Sequence, residues 1–284
     1  MPPIAILFLL VSALLHTTWN LLLKQAREKY IATWWMVVSG GIASMIGLFF
    51  TGLPPRQMWI FALLSVLMEA IYFLLLSYAY NDNDFSLVYP LARGAAPAFL
   101  AIWSIAFLRE RLTSGGMLGL GLIICGLFII GAGSLWKSSL RSVRFKGLAA
   151  ALLIALLISI YTAIDGTAVK RGPTLPYALL IFTLIPLPVT PFILRQYRWS
   201  YLKQVWNEQR LRLSLIGLLG IVAYLFALAA YSIAPLSYSG AIREVSVVIG
   251  ALAGWKFLKE EMAGLRVAGA LVIFTGILMI ALLG

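Results

Sequence analysis

Hydrophobic residues in this chain fall in long continuous runs separated by short polar stretches, without the apolar/polar alternation of a half-buried strand. Ten apolar segments can be marked, at residues 3–23, 30–51, 57–80, 85–107, 115–134, 147–169, 174–194, 211–231, 236–258 and 264–282. Each is close to the roughly 20 apolar residues that carry a helix across a bilayer. Unbroken runs predict helices rather than a β-barrel, whose strands alternate, and lipid offers no solvent to unpaired backbone groups. The pattern therefore predicts an all-α polytopic membrane protein with ten transmembrane helices. Five prolines in the seventh segment, Pro173, Pro176, Pro186, Pro188 and Pro191, predict a broken or kinked helix there. Trp59, Trp136, Trp199, Trp206 and Trp255 lie near segment ends, where aromatic belts form.

Composition agrees with the pattern. The 284 residues are 62% hydrophobic and 11% charged, with a mean hydropathy of +0.97. A soluble domain averages about 45–50% apolar and about 25% charged residues, so the soluble class is excluded. Lys and Arg number 22 against 10 Asp and Glu, a net charge of +12. Most of the basic residues sit between the apolar runs, and no basic stretch with interleaved aromatics tracks a phosphate backbone, so nucleic acid is not an expected partner. The single cysteine, Cys125, cannot form a disulfide within the chain. Met1-Pro2-Pro3 places no basic residue before the first run, and no small-x-small cleavage site follows it. The first segment thus reads as a retained helix rather than a signal peptide.

An internal repeat organises the ten segments. A shift of 150 residues superposes Arg93 on Arg243, Ala101 on Ala251, Phe107-Leu108 on Phe257-Leu258 and Glu110 on Glu260. It also superposes Gly119 on Gly269, Ile123 on Ile273, Gly126 on Gly276 and Ile130 on Ile280. Leu, Ile and Ala coincide by chance in greasy sequences. A buried Arg, a helix-end Glu and two Gly at one offset do so much less readily. The reading is a five-helix unit at residues 1–136, a linker at 137–146 and a second five-helix unit at 147–284. Five is odd, so the second unit enters the membrane from the opposite side, giving the inverted repeat found in secondary transporters.

Two junctions carry a family resemblance. Phe107-Leu108-Arg109-Glu110-Arg111-Leu112-Thr113 and Phe257-Leu258-Lys259-Glu260-Glu261-Met262 resemble the LGERLT-type junction between the fourth and fifth helices of each half in EamA-type proteins of the drug/metabolite transporter superfamily. Tyr89-Pro90-Leu91-Ala92-Arg93-Gly94 is similar to the polar entry of that family's fourth helix, and Trp19-Asn20 with Lys24 to the end of its first. The chain departs from the pattern at Arg109 and Lys259, where Gly is usual, and at Glu261-Met262. The resemblance covers both halves and implies a transporter of amino acids, amines, drugs or other metabolites.

Ionisable groups inside spans cost about 2.5–3.5 kcal/mol each on insertion scales. Glu69, Arg93, Asp165, Arg243 and Glu244 fall within the runs, as does the only histidine, His16. They are expected to face an internal cavity or to pair with one another. Helical spacing groups His16, Trp19 and Asn20 on one face and Glu69 and Tyr72 on another. It also pairs Tyr89 with Arg93, Tyr161 with Asp165, and Ser239 with Arg243. Such a lining suits a zwitterion or amine, with carboxylates for an ammonium, arginines for a carboxylate and rings for cation–π contact. The structural alternatives are Arg93 and Arg243 locked onto Glu69 or Glu244, Asp165 at the interface beside Lys170-Arg171, and His16 as a satisfied polar residue. Trp34 and Trp35 read as lipid-facing or packing residues, and Glu110 and Glu260 as groups fixing short loops beside basic neighbours. Gly119, Gly126, Gly269 and Gly276 read as small residues that let the fifth and tenth helices pack closely.

The function expected is secondary active transport, in the export direction, of a small polar or amphiphilic metabolite, by alternating access in a bacterial inner membrane. Protons are a candidate co-substrate, with Glu69 first among the carriers and Glu244 and Asp165 next. No cofactor, metal or enzymatic activity is expected: there is no GxxxxGK[ST] phosphate loop, HExxH motif or nucleophile motif. A lipid or lipid-precursor flippase and a lipid-modifying membrane enzyme are the alternatives. A monomer with internal pseudo-two-fold symmetry is expected, with a homodimer as the other possibility. Loop Lys and Arg number 15 on the face away from the termini against 5 on the terminal face. The positive-inside rule then puts both termini outside, whereas the family resemblance puts them in the cytoplasm.

Overall fold

The computed structural model describes residues 1–82, 85–137, 141–249 and 264–283, with side chains throughout except at 79–91, 94, 130–148, 266 and 267. Among these residues the chain is helical, with no strand. In chain order the helices are α1 (Pro3–Lys24), α2 (Lys29–Thr51), α3 (Trp59–Asp82), α4 (Phe85–Ala106), α5 (Ser114–Lys137) and α6 (Arg141–Val169). There follow α7 (Thr174–Leu184), α8 (Pro186–Gln196), α9 (Trp199–Ile233), α10 (Leu236–Arg243) and α11 (Gly264–Leu283), and a 3₁₀ turn at Arg56–Met58 leads into α3. Six stretches among the described residues are long and apolar enough to cross a membrane: Pro3–Lys24, Lys29–Thr51, Arg56–Tyr78, Ala149–Val169, Thr174–Gln196 and Trp199–Ile233. Ala95–Ala106, Ser114–Ile129 and Ala268–Leu283 are shorter apolar helices. Of the residues named from sequence, Trp255, Glu260 and the last part of the ninth segment lie outside the described residues, as do the side chains of Tyr89 and Trp136.

Prolines and charges break two helices. The seventh segment runs as α7 and α8, divided at Ile185, where Pro186 supplies no backbone donor. In the ninth segment α10 ends at Arg243, Glu244 turns (φ −71°, ψ −2°), and helix resumes over 245–249. Side chains from other helices meet the chain just after this break. The Thr17 hydroxyl donates to the Ser246 carbonyl at 2.9 Å, and Arg93 Nη2 donates to Ser246 Oγ at 3.0 Å.

α9 departs from the apolar pattern. It begins at Trp199 rather than near 211, and its 35 residues bend at Gln209 (φ −132°, ψ 15°). At about 1.5 Å per residue it exceeds the hydrocarbon core. The extension carries Lys203, Gln204, Asn207, Glu208 and Arg210 on one side and the buried Leu202 and Val205 on the other. Mean hydropathy passes over such an amphipathic stretch. A tryptophan cluster docks it: the Trp35 indole donates to the Leu202 carbonyl at 2.9 Å and stacks 4.5 Å from Trp206. Trp34 is buried and donates to Thr190 Oγ1 at 2.9 Å. Trp34, Trp35 and Trp206 thus pack together on the protein as well as lying near helix ends.

α5 and α11 pack backbone against backbone. A Cβ built on Gly119 would stand 2.7 Å from the Gly276 carbonyl oxygen, and one on Gly126 would stand 2.7 Å from that of Gly269. Rising number on one helix meets falling number on the other, so the pair is antiparallel. The 150-residue shift converts the first contact into the second, as a two-fold axis between the helices would. Thr113, just before α5, donates to the Leu283 carbonyl at the end of α11 (2.5 Å), placing these two ends on one face.

Candidate functional site

Inside the bundle, α1, α2, α3, α6, α7, α9 and α10 enclose a small cavity. Ser12, His16 and Trp19 reach it from successive turns of α1, Met36 and Val37 from α2, and Glu69, Tyr72 and Phe73 from α3. Tyr161 enters from α6, Phe182 from α7 and Arg243 from the end of α10. On α9 the small residues Gly217, Gly220 and Ala223 line the wall, and Tyr224 closes it. A Cβ at Gly220 would meet nothing within 4 Å, so this glycine keeps space open. The cavity offers about 40 Å³, room for about three waters at 10–15 Å³ each. Small-molecule sites usually hold about 300–1,000 Å³, so helices must move before a metabolite fits.

Two carboxyls and a phenol form the polar floor. Glu69 is 4% exposed and Asp165 fully buried. Ser65 Oγ donates to Glu69 Oε1 at 3.4 Å, and the Tyr177 hydroxyl donates to Asp165 Oδ1 at 2.7 Å. The Tyr224 hydroxyl lies 2.9 Å from Glu69 Oε1 and also meets Asp165 Oδ2. A phenol has one hydrogen to donate. It can serve one carboxylate, and the other contact then needs the carboxyl's own hydrogen.

The arginines divide their work. Arg93 Nε stands 2.7 Å from Glu244 Oε2, both side chains 3% exposed or less. Neither residue lines the main cavity. This ion pair ties α4 to the break in α10. Arg243 Nη1 donates to the Tyr231 hydroxyl at 2.9 Å and faces Tyr161, leaving its charge at the cavity without a carboxylate ion pair among the described residues. With Arg93 and Glu244 cancelling, the remaining buried charges are Arg243 against Glu69 and Asp165. One proton on the two acids brings that sum to zero.

The residues named from sequence are thus partly assembled. His16, Trp19, Glu69, Tyr72, Tyr161 and Arg243 share the cavity wall. The His16 and Trp19 rings meet edge-on at 4.9 Å, and His16 Nε2 is enclosed with no hydrogen-bond partner among the described residues. Asn20 is buried and donates to the His16 carbonyl at 2.9 Å instead of facing the cavity. Asp165 sits behind the wall, linked through Tyr224, and is not at an interface beside Lys170-Arg171, since helix packing encloses it. Ser239 donates to the Pro235 carbonyl and does not pair with Arg243. Sequence reading missed Ser65, Tyr177, Tyr224 and Tyr231. The available signal was the phenol itself: Tyr224 and Tyr231 lie seven apart on one face of an otherwise greasy helix.

Glu110 does more than fix its own loop. Its carboxylate accepts from the backbone N–H of Leu236 (2.5 Å) and of Ser237 (3.1 Å), from Ser237 Oγ (2.8 Å) and from Lys170 Nζ (3.3 Å). The connection after α4 therefore caps the start of α10 in the other repeat. Next to it, Arg109 has φ 53°, the left-handed region that glycine occupies at little cost, which is the residue type usual there in the resembling family.

A model of the EamA-like transporter family matches residues 3–132 and 145–282, one copy for each repeat. A solved crystal structure superposes on the chain with a TM-score of 0.76, covering 98% of this chain and 96% of its own at 17% identity, a likeness of fold. No curated protein matches the sequence.

Proposed function

The chain belongs to the EamA-like transporter family, as an integral, multi-pass membrane protein, and on that premise we propose that it is a secondary carrier exporting a small zwitterionic metabolite such as an amino acid, or a related amine. Ten spans form two inverted halves, a bacterial inner membrane is the setting, and alternating access is the mode. The observation that carries this reading is the joint presence of Glu69 and Arg243 in the wall of one cavity, among Trp19, Tyr72, Tyr161 and Phe182. Arg243 offers a guanidinium to a carboxylate, while Glu69 and the rings receive an ammonium.

The same site supports proton coupling. For a cationic amine, a proton held among Glu69, Asp165 and Tyr224 would leave as the ammonium arrives, keeping the buried charge near zero. Arg93 and Glu244 serve as a helix lock, and His16 orients solute or water through its open Nε2. The test is solute counterflow in proteoliposomes across a panel of amino acids and amines, with and without a pH gradient. Wild type is expected to exchange a zwitterionic or amine solute and to accumulate it against a gradient when protons flow the other way. Glu69→Gln is expected to lose the proton-driven component. An unchanged pH dependence in Glu69→Gln overturns the coupling assignment; absence of counterflow for every solute overturns the carrier reading.

A further inference from the structure

A second cavity opens on the outside of the bundle, near the end that carries the termini. It is a groove of about 340 Å³ between α3, α4 and α6, walled by Phe61, Trp103, Phe107, Leu108, Ile164 and Thr167 among others. Its wall is apolar apart from Thr167 and the indole N–H of Trp103, and that N–H is already satisfied by Ser159 Oγ at 3.0 Å. Phe107 is 73% exposed. In a membrane such a surface meets acyl chains.

The charge at its rim is selective. The terminal face is poor in basic residues, with five in its loops: Arg56 before α3, Arg109 and Arg111 after α4, and Lys170 and Arg171 after α6. All five stand on connections to the three helices that form the groove, and all five side chains are exposed. The turn between α9 and α10 on the same face has none. Arg171 is placed at the groove itself, its guanidinium 5.4 Å from the centroid of the Phe61 ring that forms part of the wall. Glu110 is the acid among these loops, and its carboxylate is taken up by Lys170 and the start of α10. A cationic rim above an apolar trough matches one kind of molecule, with an anionic head and a hydrocarbon tail.

We propose that this groove is a binding site for one anionic phospholipid, with an acyl chain lying along Trp103, Phe107 and Ile164 and the phosphate at Arg171. The site is separate from the central cavity and does not depend on the transport reading.

The test is native mass spectrometry of the detergent-solubilised full chain, offered phosphatidylglycerol and phosphatidylcholine in equal amounts. Wild type is expected to retain one phosphatidylglycerol in preference to phosphatidylcholine. Arg171→Gln is expected to lower that preference about fivefold, the effect of one basic group at a lipid surface, without reducing phosphatidylcholine. Ala163 also lines the groove, so Ala163→Phe fills the trough and is expected to reduce both lipids; if that variant does not elute as a single species, Thr167→Phe at the groove edge replaces it. An unchanged preference in Arg171→Gln, or unchanged lipid retention in the filled variant, overturns the site. Inorganic phosphate that displaces phosphatidylglycerol from wild type identifies a free-anion site and overturns it as well.

Discussion

The Arg93–Glu244 pair offers a measurement that separates a helix lock from a transport path. At 2.7 Å the attraction is about 6 kcal/mol for an effective dielectric near 20, set against a desolvation cost of several kcal/mol per ion. The intact pair therefore contributes little net stability over an apolar pair of similar volume. A broken pair leaves a buried charge stranded, which costs about 3–5 kcal/mol. Arg93→Met should fall near the lower end, because Arg243 lies beside Glu244 and offsets part of the lost attraction. Glu244→Met removes the carboxylate from Arg93, which keeps its bond to Ser246 Oγ, and should cost a comparable amount. The double variant Arg93→Met/Glu244→Met should recover most of the loss, giving a coupling energy above about 3 kcal/mol. Reversible unfolding of the micelle-solubilised protein, followed by tryptophan fluorescence, measures all three. The reasoning is refuted if the double variant costs the sum of the singles within about 0.5 kcal/mol, as independent sites do. It is equally refuted if each single costs under about 1 kcal/mol, the scale of ordinary polar contacts between membrane helices.

Three further outcomes follow from the same structure. Gly220→Ala should leave stability and transport unchanged, because the added methyl meets nothing within 4 Å, whereas Gly220→Trp should abolish counterflow while the protein still unfolds near the wild-type midpoint. Gly119→Leu should destabilise the fold by about 1–3 kcal/mol or more, since its Cβ would press on the Gly276 carbonyl at 2.7 Å; a wild-type unfolding midpoint would sink that account. Lys170→Ala should cost under about 1 kcal/mol, its side chain being 38% exposed. Glu110→Ala frees two backbone donors at the start of α10 and should cost about 1–3 kcal/mol for each one left buried and unpaired, so equal losses in these two variants would contradict the capping role.

Much of the helical scaffold was legible because lipid enforces a simple rule: apolar runs become helices, and prolines interrupt them, as at Pro186. The two copies of the family pattern were legible from Arg93/Arg243 and Glu110/Glu260, since charges recur by chance far less than leucines do. The start of α9 was not, because residues 199–210 are only half apolar and are held through Trp199, Leu202 and Trp206 by Trp34 and Trp35, from a distant part of the chain. Helical spacing put Glu69 and Tyr72 on one face, and both do line the cavity. It could not say that Asp165 is reached through Tyr224, because that link joins α6 to α9 and depends on how the two helices are rotated. Glu110 looked local for a similar reason: its partners Leu236 and Ser237 are more than a hundred residues away. Spacing rules describe one helix at a time, and the site is made where several meet.

The two glycine contacts between α5 and α11 also have a mechanical meaning. Each helix is clasped at two points seven residues apart, about 10 Å along its axis, with backbone against backbone. One such point would leave a pivot. Two fix the spacing, the register and the rotation together, so the pair acts as a stator. Under the alternating-access proposal, the motion that enlarges the central cavity falls to the helices around this fixed beam, and a covalent staple between α5 and α11 should leave transport intact.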